Sequence, residues 1–181
     1  MTPSHVAILV PSVRKAAEFL RPLGFEIGEE ESFSETKEIY VQGRARNSLL
    51  LMEPKETGSY RRALDKRGPG LHHLAIDVLD LEKYLASLAG SGWLLHLNSL
   101  NSIKDYRTVY LARPGYPALI EVQEKKSLLQ GPDFVEKISL PFDAASAALS
   151  KTIGLDHILS PSSEEPTLRL QGQKVALKNL F

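Results

Sequence analysis

Three residues have the types needed to hold a metal ion and stand where strands would present them: His5, His73 and Glu121. His5 opens the apolar run His5-Val6-Ala7-Ile8-Leu9-Val10. His73 stands in Gly70-Leu71-His72-His73-Leu74-Ala75-Ile76-Asp77-Val78, where apolar side chains alternate with others. Both runs read as strands with a buried face. Successive strand residues point to opposite faces, so only one of His72 and His73 is expected on any one face. Glu121 lies inside Ala118-Leu119-Ile120-Glu121-Val122-Gln123. A carboxylate within a buried strand is costly to desolvate unless it meets a metal or another cation. Two imidazoles and a carboxylate meeting at one point form a divalent metal site suited to Fe, Mn, Co, Ni or Zn. An ion so held leaves positions for a bidentate oxygen ligand and stabilises an enolate formed beside a carbonyl.

The elements that must position these side chains form a repeat. The first half reads as a strand over 5–10, a break at Pro11-Ser12, and a helix whose Val13, Ala16, Ala17 and Leu20 recur at helical spacing. Ser12 suits the N-cap, and Pro22 with Gly24 ends the helix. Strands over 25–27, 38–42 and 47–53 follow, with a polar loop over 29–37 and a stop at Pro54. When His73 is laid on His5, Ala75 falls on Ala7, Ile76 on Ile8 and Val78 on Val10. Asp80 falls on the cap Ser12, and Leu81, Tyr84, Leu85 and Leu88 take the helical positions. Gly92 meets Gly24 and Trp93 meets Phe25 without a gap. A polar loop over 98–104 then precedes strands over 108–112 and 118–123. The alignment selects His73 as the inward histidine and leaves His72 as its outward neighbour.

The repeat predicts an α+β fold of paired βαβββ modules, forming a curved mixed sheet around a cleft, with a C-terminal extension. The expected organisation is a two-unit domain over 1–126, with units at 3–55 and 70–126, and an extension over 127–181 packing on the core. The linker over 56–69 reads as a surface helix. In the tail, 128–138 reads as irregular, 144–149 as a short helix and 155–159 as a brief strand, with a hairpin from 168–170 and 175–177. Leu155-Asp156-His157-Ile158 echoes the histidine-led strand starts, which leaves a degenerate third unit as the alternative reading of the tail; His157 itself reads as structural.

Composition narrows the functions. In 181 residues Lys plus Arg and Asp plus Glu both number 22, a balance that points to neither nucleic acid nor a membrane surface. Cysteine is absent, which removes disulfides, thiolate metal sites and thiol catalysis. No apolar run approaches the ~20 residues of a membrane span, and no signal-peptide pattern opens the chain. The expected location is the cytoplasm.

The strand starts at His5 and Gly70, the end Leu119-Ile120-Glu121-Val122 and the paired units together resemble the vicinal oxygen chelate superfamily, which includes glyoxalase I, methylmalonyl-CoA epimerase, extradiol dioxygenases and bleomycin-resistance proteins. The second half is most similar to methylmalonyl-CoA epimerase, and the likeness covers 3–124. It implies that His5, His73 and Glu121 bind a divalent ion (Co, Mn, Ni, Zn or Fe). It further implies a small-molecule substrate of carbonyl or acyl-CoA type, and it admits a homodimer. The epimerase pattern has a fourth ligand, Gln or Glu, four residues before the proline closing the first unit, and here that position is Leu50. Glu53 supplies the missing oxygen only if the register differs. The epimerases also use a third-strand carboxylate as a second base opposite the metal-bound glutamate. Glu38 is the nearest match and Glu35 the alternative. For CoA phosphates, Arg44, Arg46, Arg61 and Arg62 are the available cations.

The function implied is enolate stabilisation by a metal-dependent isomerase of the epimerase type, or a glyoxalase-type lyase. The first alternative is an Fe(II) extradiol-type dioxygenase, whose pattern is met in part by Val109-Tyr110-Leu111-Ala112-Arg113-Pro114-Gly115 but lacks a histidine over 103–106. The second is a non-catalytic resistance-type binding protein, which generally lacks the triad.

Overall fold

The computed structural model describes residues 1–42, 46–97 and 99–181. The first unit comprises β1 (Thr2–Leu9), α1 (Val13–Leu20), β2 (Glu26–Ile27), β3 (Glu31–Ser32), β4 (Thr36–Gln42) and β5 (Ser48–Pro54). The linker helix is α2 (Ser59–Arg67). The second unit comprises β6 (Gly70–Val78), α3 (Leu81–Ser87), β7 (Leu94–Leu95), α4 (Ser99–Tyr106), β8 (Thr108–Ala112) and β9 (Leu119–Glu124). The tail adds β10 (Val135–Leu140), α5 (Ala144–Thr152), β11 (Leu159–Pro161), β12 (Thr167–Leu170) and β13 (Gln173–Ala176).

The equivalences read from the sequence recur as physical details. Ser12 caps α1 by accepting from the Lys15 N–H at 3.4 Å, and Asp80 caps α3 by accepting from the Lys83 N–H at 2.8 Å. A second carboxylate meets each helix start: Glu53 accepts from the Val13 N–H at 3.0 Å and Glu124 from the Leu81 N–H at 2.8 Å. The turns after the two helices pass through Gly24 and Gly92 at φ 84° and 83°, a left-handed conformation that a side chain would strain.

Nine strands form one sheet in the order β2-β4-β5-β1-β6-β9-β8-β7, with β3 beside β4. Each unit closes its first strand against its last in parallel, β1 on β5 and β6 on β9, and antiparallel pairing of β1 with β6 joins the units. One face of the sheet carries Val6, Ile8, Leu49, Leu51, Leu74, Ile76, Ile120 and Val122 into the main core with α1 and α3 residues. On the opposite face Ala7, Leu9, Leu50 and Met52 form a smaller cluster, covered by Tyr60, Ala63 and Leu64 of α2. That helix roofs one part of the concave face and leaves the rest as a cleft.

The β1–β6 ladder is bulged twice. Register passes from Pro3↔Ile76 to His5↔Ala75, and from Ala7↔His73 to Ile8↔Leu71, leaving Ser4 and His72 as extra residues. A bulge turns two successive side chains toward one side. The two bulges are themselves equivalent, each immediately before a cleft histidine.

The tail forms a second sheet, β11-β10-β12-β13. Its Phe134, Val135, Ile138, Leu168 and Leu170 lie in the same apolar core as the first sheet, and the rings of Phe25 and Phe134 meet edge to face with centroids 5.2 Å apart. Buried Asn47 clamps the two sheets: its amide donates to the Val135 carbonyl at 3.2 Å and its oxygen accepts from the Val135 N–H at 2.8 Å. The element order of the tail is again strand, helix, three strands. However, β10 pairs in parallel with β11, the second strand of the set, whereas β1 and β6 pair with the last. The tail is therefore not a third copy of the unit.

Several expectations are corrected. The polar loop expected over 98–104 is largely α4; Asn98 lies outside the described residues. Its serines hold the helix to β8: Ser99 Oγ donates to the Tyr110 carbonyl at 3.0 Å and accepts from the Tyr110 N–H at 2.8 Å, and Ser102 Oγ donates to the Thr108 carbonyl at 2.8 Å. The end of the segment read as irregular is ordered as β10, because Val135 and Ile138 pair with β12 and enter the core. The strand expected over 155–159 is a turn until Leu159, where pairing to β10 begins. The loop over 29–37 contains the short β3 and the start of β4.

Candidate metal centre

His5 and His73 meet across the seam between the units, with their Nε2 atoms 3.0 Å apart. Glu121 reaches both: its Oε2 lies 3.1 Å from His73 Nε2 and 3.8 Å from His5 Nε2. All three residues are buried, and one ligand atom from each lies within 4.8 Å of the others. Gln123 Nε2 donates to Glu121 Oε1 at 2.5 Å and fixes the second carboxylate oxygen. Burial, reinforced by the charge of His73, lowers the His5 pKa to about 3 and keeps the ring neutral, the form that binds a cation. For Glu121, burial pushes the other way, but the hydrogen bond and charge of His73, then His5 and Gln123, outweigh it and hold the carboxyl at about 2. The donor set is thus two imidazoles and one carboxylate, a combination suited to a divalent ion.

The fourth position is settled by register. Glu121 lies beside Ala75 in the β6–β9 ladder, and in the equivalent β1–β5 ladder Leu50 lies beside Ala7. Leu50 therefore occupies the place of Glu121 in the first unit, buried on the cleft face. Glu53 does not substitute, since its carboxylate is taken by the α1 N-terminus and by Lys37 Nζ at 3.2 Å.

Glu38 pairs with Met52 across β4 and β5, on the cleft face, where Thr36 Oγ1 donates to it at 2.7 Å. Burial raises its pKa above the ordinary carboxyl value, with the nearby Glu121 charge adding to the shift. Glu35, the alternative, is half-buried and occupied at the start of α2, accepting from the Ser59 N–H at 2.9 Å and from Ser59 Oγ at 2.6 Å.

His72 is not an outward bystander. The bulge at this residue breaks the alternation on which that expectation rested, and His72 is buried with its Nδ1 2.9 Å from His73 Nδ1. Its ring packs against Tyr60 with centroids 5.0 Å apart. Burial, then His73 and Arg67, lower the His72 pKa to about 3.

The cleft has two lobes flanking the triad. One, of about 430 Å³, is lined by Tyr60, His72, His96, Tyr106, Tyr110 and Leu119. The other, of about 470 Å³, is polar and lined by His5, Tyr40, Gln42, Asp77, Gln123 and Lys125 among others. Burial raises the Tyr40 and Tyr60 hydroxyls to about 12, so both remain protonated donors. Sequence reasoning missed Tyr60 and His96 as cleft residues. The one signal for Tyr60 was an aromatic ring in an otherwise charged linker, and nothing in the sequence marked His96.

The arginines considered for phosphate binding are mostly engaged. Arg46 holds Asp133 through paired 2.8 Å bonds, and Arg61 pairs with Asp65 at 3.1 Å. Arg62 is exposed, and Arg44 lies outside the described residues. His157 is also remote from the triad, 4.0 Å from the Asp133 carboxylate. Among the described residues, no helix is long and apolar enough to cross a membrane.

Paired βαβββ units, a cleft at their seam and histidines leading both first strands define the class of vicinal oxygen chelate folds. Residues 4–108 match the model of the Glyoxalase/Bleomycin resistance protein/Dioxygenase superfamily, and the chain belongs to that superfamily. No curated protein matches the chain. Among solved structures, methylmalonyl-CoA epimerase from Mycobacterium tuberculosis is similar at 27% identity and TM-score 0.54, over 68% of this chain and 87% of its own. A hypothetical protein from Bacillus halodurans is similar at 22% identity and TM-score 0.59, over 71% of this chain and 97% of its own. A variant of Streptomyces coelicolor methylmalonyl-CoA epimerase in complex with 2-nitronate-propionyl-CoA is similar at 20% identity and TM-score 0.55, over 70% of this chain and 99% of its own.

Proposed function

We propose that this protein is a metal-dependent enzyme that stabilises an enolate, an isomerase of the methylmalonyl-CoA epimerase type or a lyase of the glyoxalase type, with His5, His73 and Glu121 as its metal ligands. The observation that carries the reading is the convergence of His5 Nε2, His73 Nε2 and Glu121 Oε2, from strands of both units, at separations of 3.0 to 3.8 Å. Two imidazoles with one carboxylate fit a divalent ion. Bound there, the ion supplies Lewis acidity toward a substrate carbonyl. Leu50 contributes no donor, which leaves room for substrate oxygens.

The remaining steps belong to the chain's own groups. Glu121, held deprotonated, is suited to accept a proton at its oxygen. Glu38, raised by burial on the facing strand, is suited to carry one. Two carboxyl groups pushed in opposite directions at one cleft fit the two roles of acid and base. Removal of an α-proton on one face and return on the other inverts the carbon. Tyr60, Ala63 and Leu64 of α2 cover the apolar cluster that includes Leu50, which makes this side of the site apolar. The epimerase reading is supported by the Mycobacterium tuberculosis enzyme at 27% identity. The substrate class proposed is therefore a carbonyl compound of acyl-CoA type, and the assembly proposed is a homodimer.

A dioxygenase with Fe(II) is the second reading, favoured by Tyr110 beside His73, with ring centroids 6.4 Å apart, and by His96 in the same lobe. The deciding experiment supplies Co(II) or Mn(II) and follows exchange of the α-proton of methylmalonyl-CoA with deuterated solvent. Exchange supports the epimerase. Absence of exchange removes this substrate, and oxygen uptake with a catechol and Fe(II) selects the dioxygenase.

A further inference from the structure

The histidine beside the triad has a geometry that the proposed chemistry does not use. His72 Nδ1 lies 2.9 Å from His73 Nδ1, with the rings edge to face and centroids 5.2 Å apart. One nitrogen of such a pair must donate and the other accept. If Nε2 of His73 is to offer its lone pair to a metal, the proton of the neutral ring must sit on Nδ1, and among the described residues the partner of that atom is His72 Nδ1. His72 must then be the Nε2–H tautomer.

We propose that His72 is the positioning residue of the metal site: it accepts the Nδ1–H of His73 and so fixes that ring's tautomer and orientation. Metal-bound imidazoles generally donate their other N–H to an outer partner, usually a carboxylate, a carbonyl or water. Here the partner is a second imidazole, and three features of the fold provide it. The bulge at His72 brings both side chains to one side of β6. Tyr60 of the linker helix packs on the His72 ring at 5.0 Å and holds it in place. The equivalent bulge in the first unit carries Ser4, so no second imidazole stands at that position behind His5. The device belongs to the second unit alone. Its consequence is that the two histidine ligands differ, with His73 oriented by a ring that also lines the aromatic lobe.

This inference rests on the metal-site reading, and the test separates the two. His72→Phe keeps the ring and its packing on Tyr60 but removes the acceptor. His72→Asn keeps an acceptor, because the asparagine oxygen overlies the position of Nδ1. Each full-length protein, freed of metal with a chelator, is titrated with Co(II) while the visible d–d absorption is recorded. Thermal unfolding of the metal-free forms reports folding. The expected result is a Kd raised about 10- to 100-fold in His72→Phe, with an altered absorption envelope. His72→Asn is expected to stay within a few-fold of the parent, and the metal-free melting temperatures to stay similar. Nitrogen-15 spectra of the zinc-loaded parent are expected to show His73 protonated at Nδ1 and His72 at Nε2. Parent-like affinity and spectrum in His72→Phe overturn the positioning role while leaving the metal site standing, as does equal weakening in His72→Asn. A parent that takes up no metal removes the site and the inference together.

Discussion

Replacing Leu50 with glutamine places an amide oxygen where the second unit carries Glu121, so the substitution tests both the repeat and the location of the centre. Leu50 is 3% exposed and packs with Ala7, Leu9 and Met52. Losing a fully buried leucine side chain costs about 1.5–3 kcal/mol, and burying an amide without a partner adds about 1–3 kcal/mol. The metal-free Leu50→Gln protein is therefore expected to be about 3–5 kcal/mol less stable. At about 2–4 °C per kcal/mol for a chain of this size, its melting temperature should fall by on the order of 10 °C. Metal reverses part of the loss, since coordination gives the amide oxygen a partner. An ion at 100 times its Kd stabilises any binder by about 2.7 kcal/mol, and a tenfold gain in affinity adds about 1.4 kcal/mol. Scanning calorimetry of both proteins, with and without Co(II) at one fixed concentration, reads the difference. The metal-induced rise should be larger in Leu50→Gln than in the parent by a few degrees. An equal or smaller rise would refute the placement of Leu50 beside the ion.

Two further outcomes follow from the site. Glu38→Gln removes the raised carboxyl while keeping its shape, so α-proton exchange should fall by about 10²–10⁴-fold with metal content unchanged; parent-like exchange would exclude Glu38 from proton transfer. Stability of the metal-free protein should fall in mild acid. His5 and His72 have folded pKa values of about 3 against an ordinary 6.5, so the unfolded chain binds protons first as pH drops. Their contribution is complete above pH 6.5 and is lost progressively toward pH 3, at about 1.4 kcal/mol per pH unit for each ring. Glu121, lowered to about 2 from 4.5, adds a loss of the same sign only below pH 4.5. Urea titrations at pH 7, 6 and 5 check this, and constant stability across them would contradict neutral burial of the two histidines.

Much of the fold was legible because it is written twice. Cap, helix face and closing glycine recur at one offset, and the hydrogen bonds of Ser12 and Asp80 and the φ angles of Gly24 and Gly92 share that physics. The triad residues were legible because imidazoles at strand starts and a carboxylate in an apolar run are rare enough to demand a reason. Other features had no sequence signal. A bulge is a property of pairing between two strands, so alternation along β6 alone sent His72 to the wrong face. The strand around Leu50 is apolar on both faces, and only its ladder with β1 shows which one meets the cleft. The serines of α4 favour loops by composition, but here they bond to β8 and anchor a helix. In the tail the hairpin of β12 and β13 was legible, but β10 pairs with partners more than twenty residues away, beyond the reach of any local pattern.

The account stands on metal held by His5, His73 and Glu121. The most direct measurement is the metal content of the purified protein beside that of His73→Ala, by elemental analysis, with circular dichroism to confirm that the variant folds. The expected result is about one divalent ion per chain in the parent and a loss of at least most of it in a folded variant. Equal metal content in the two proteins would contradict the account.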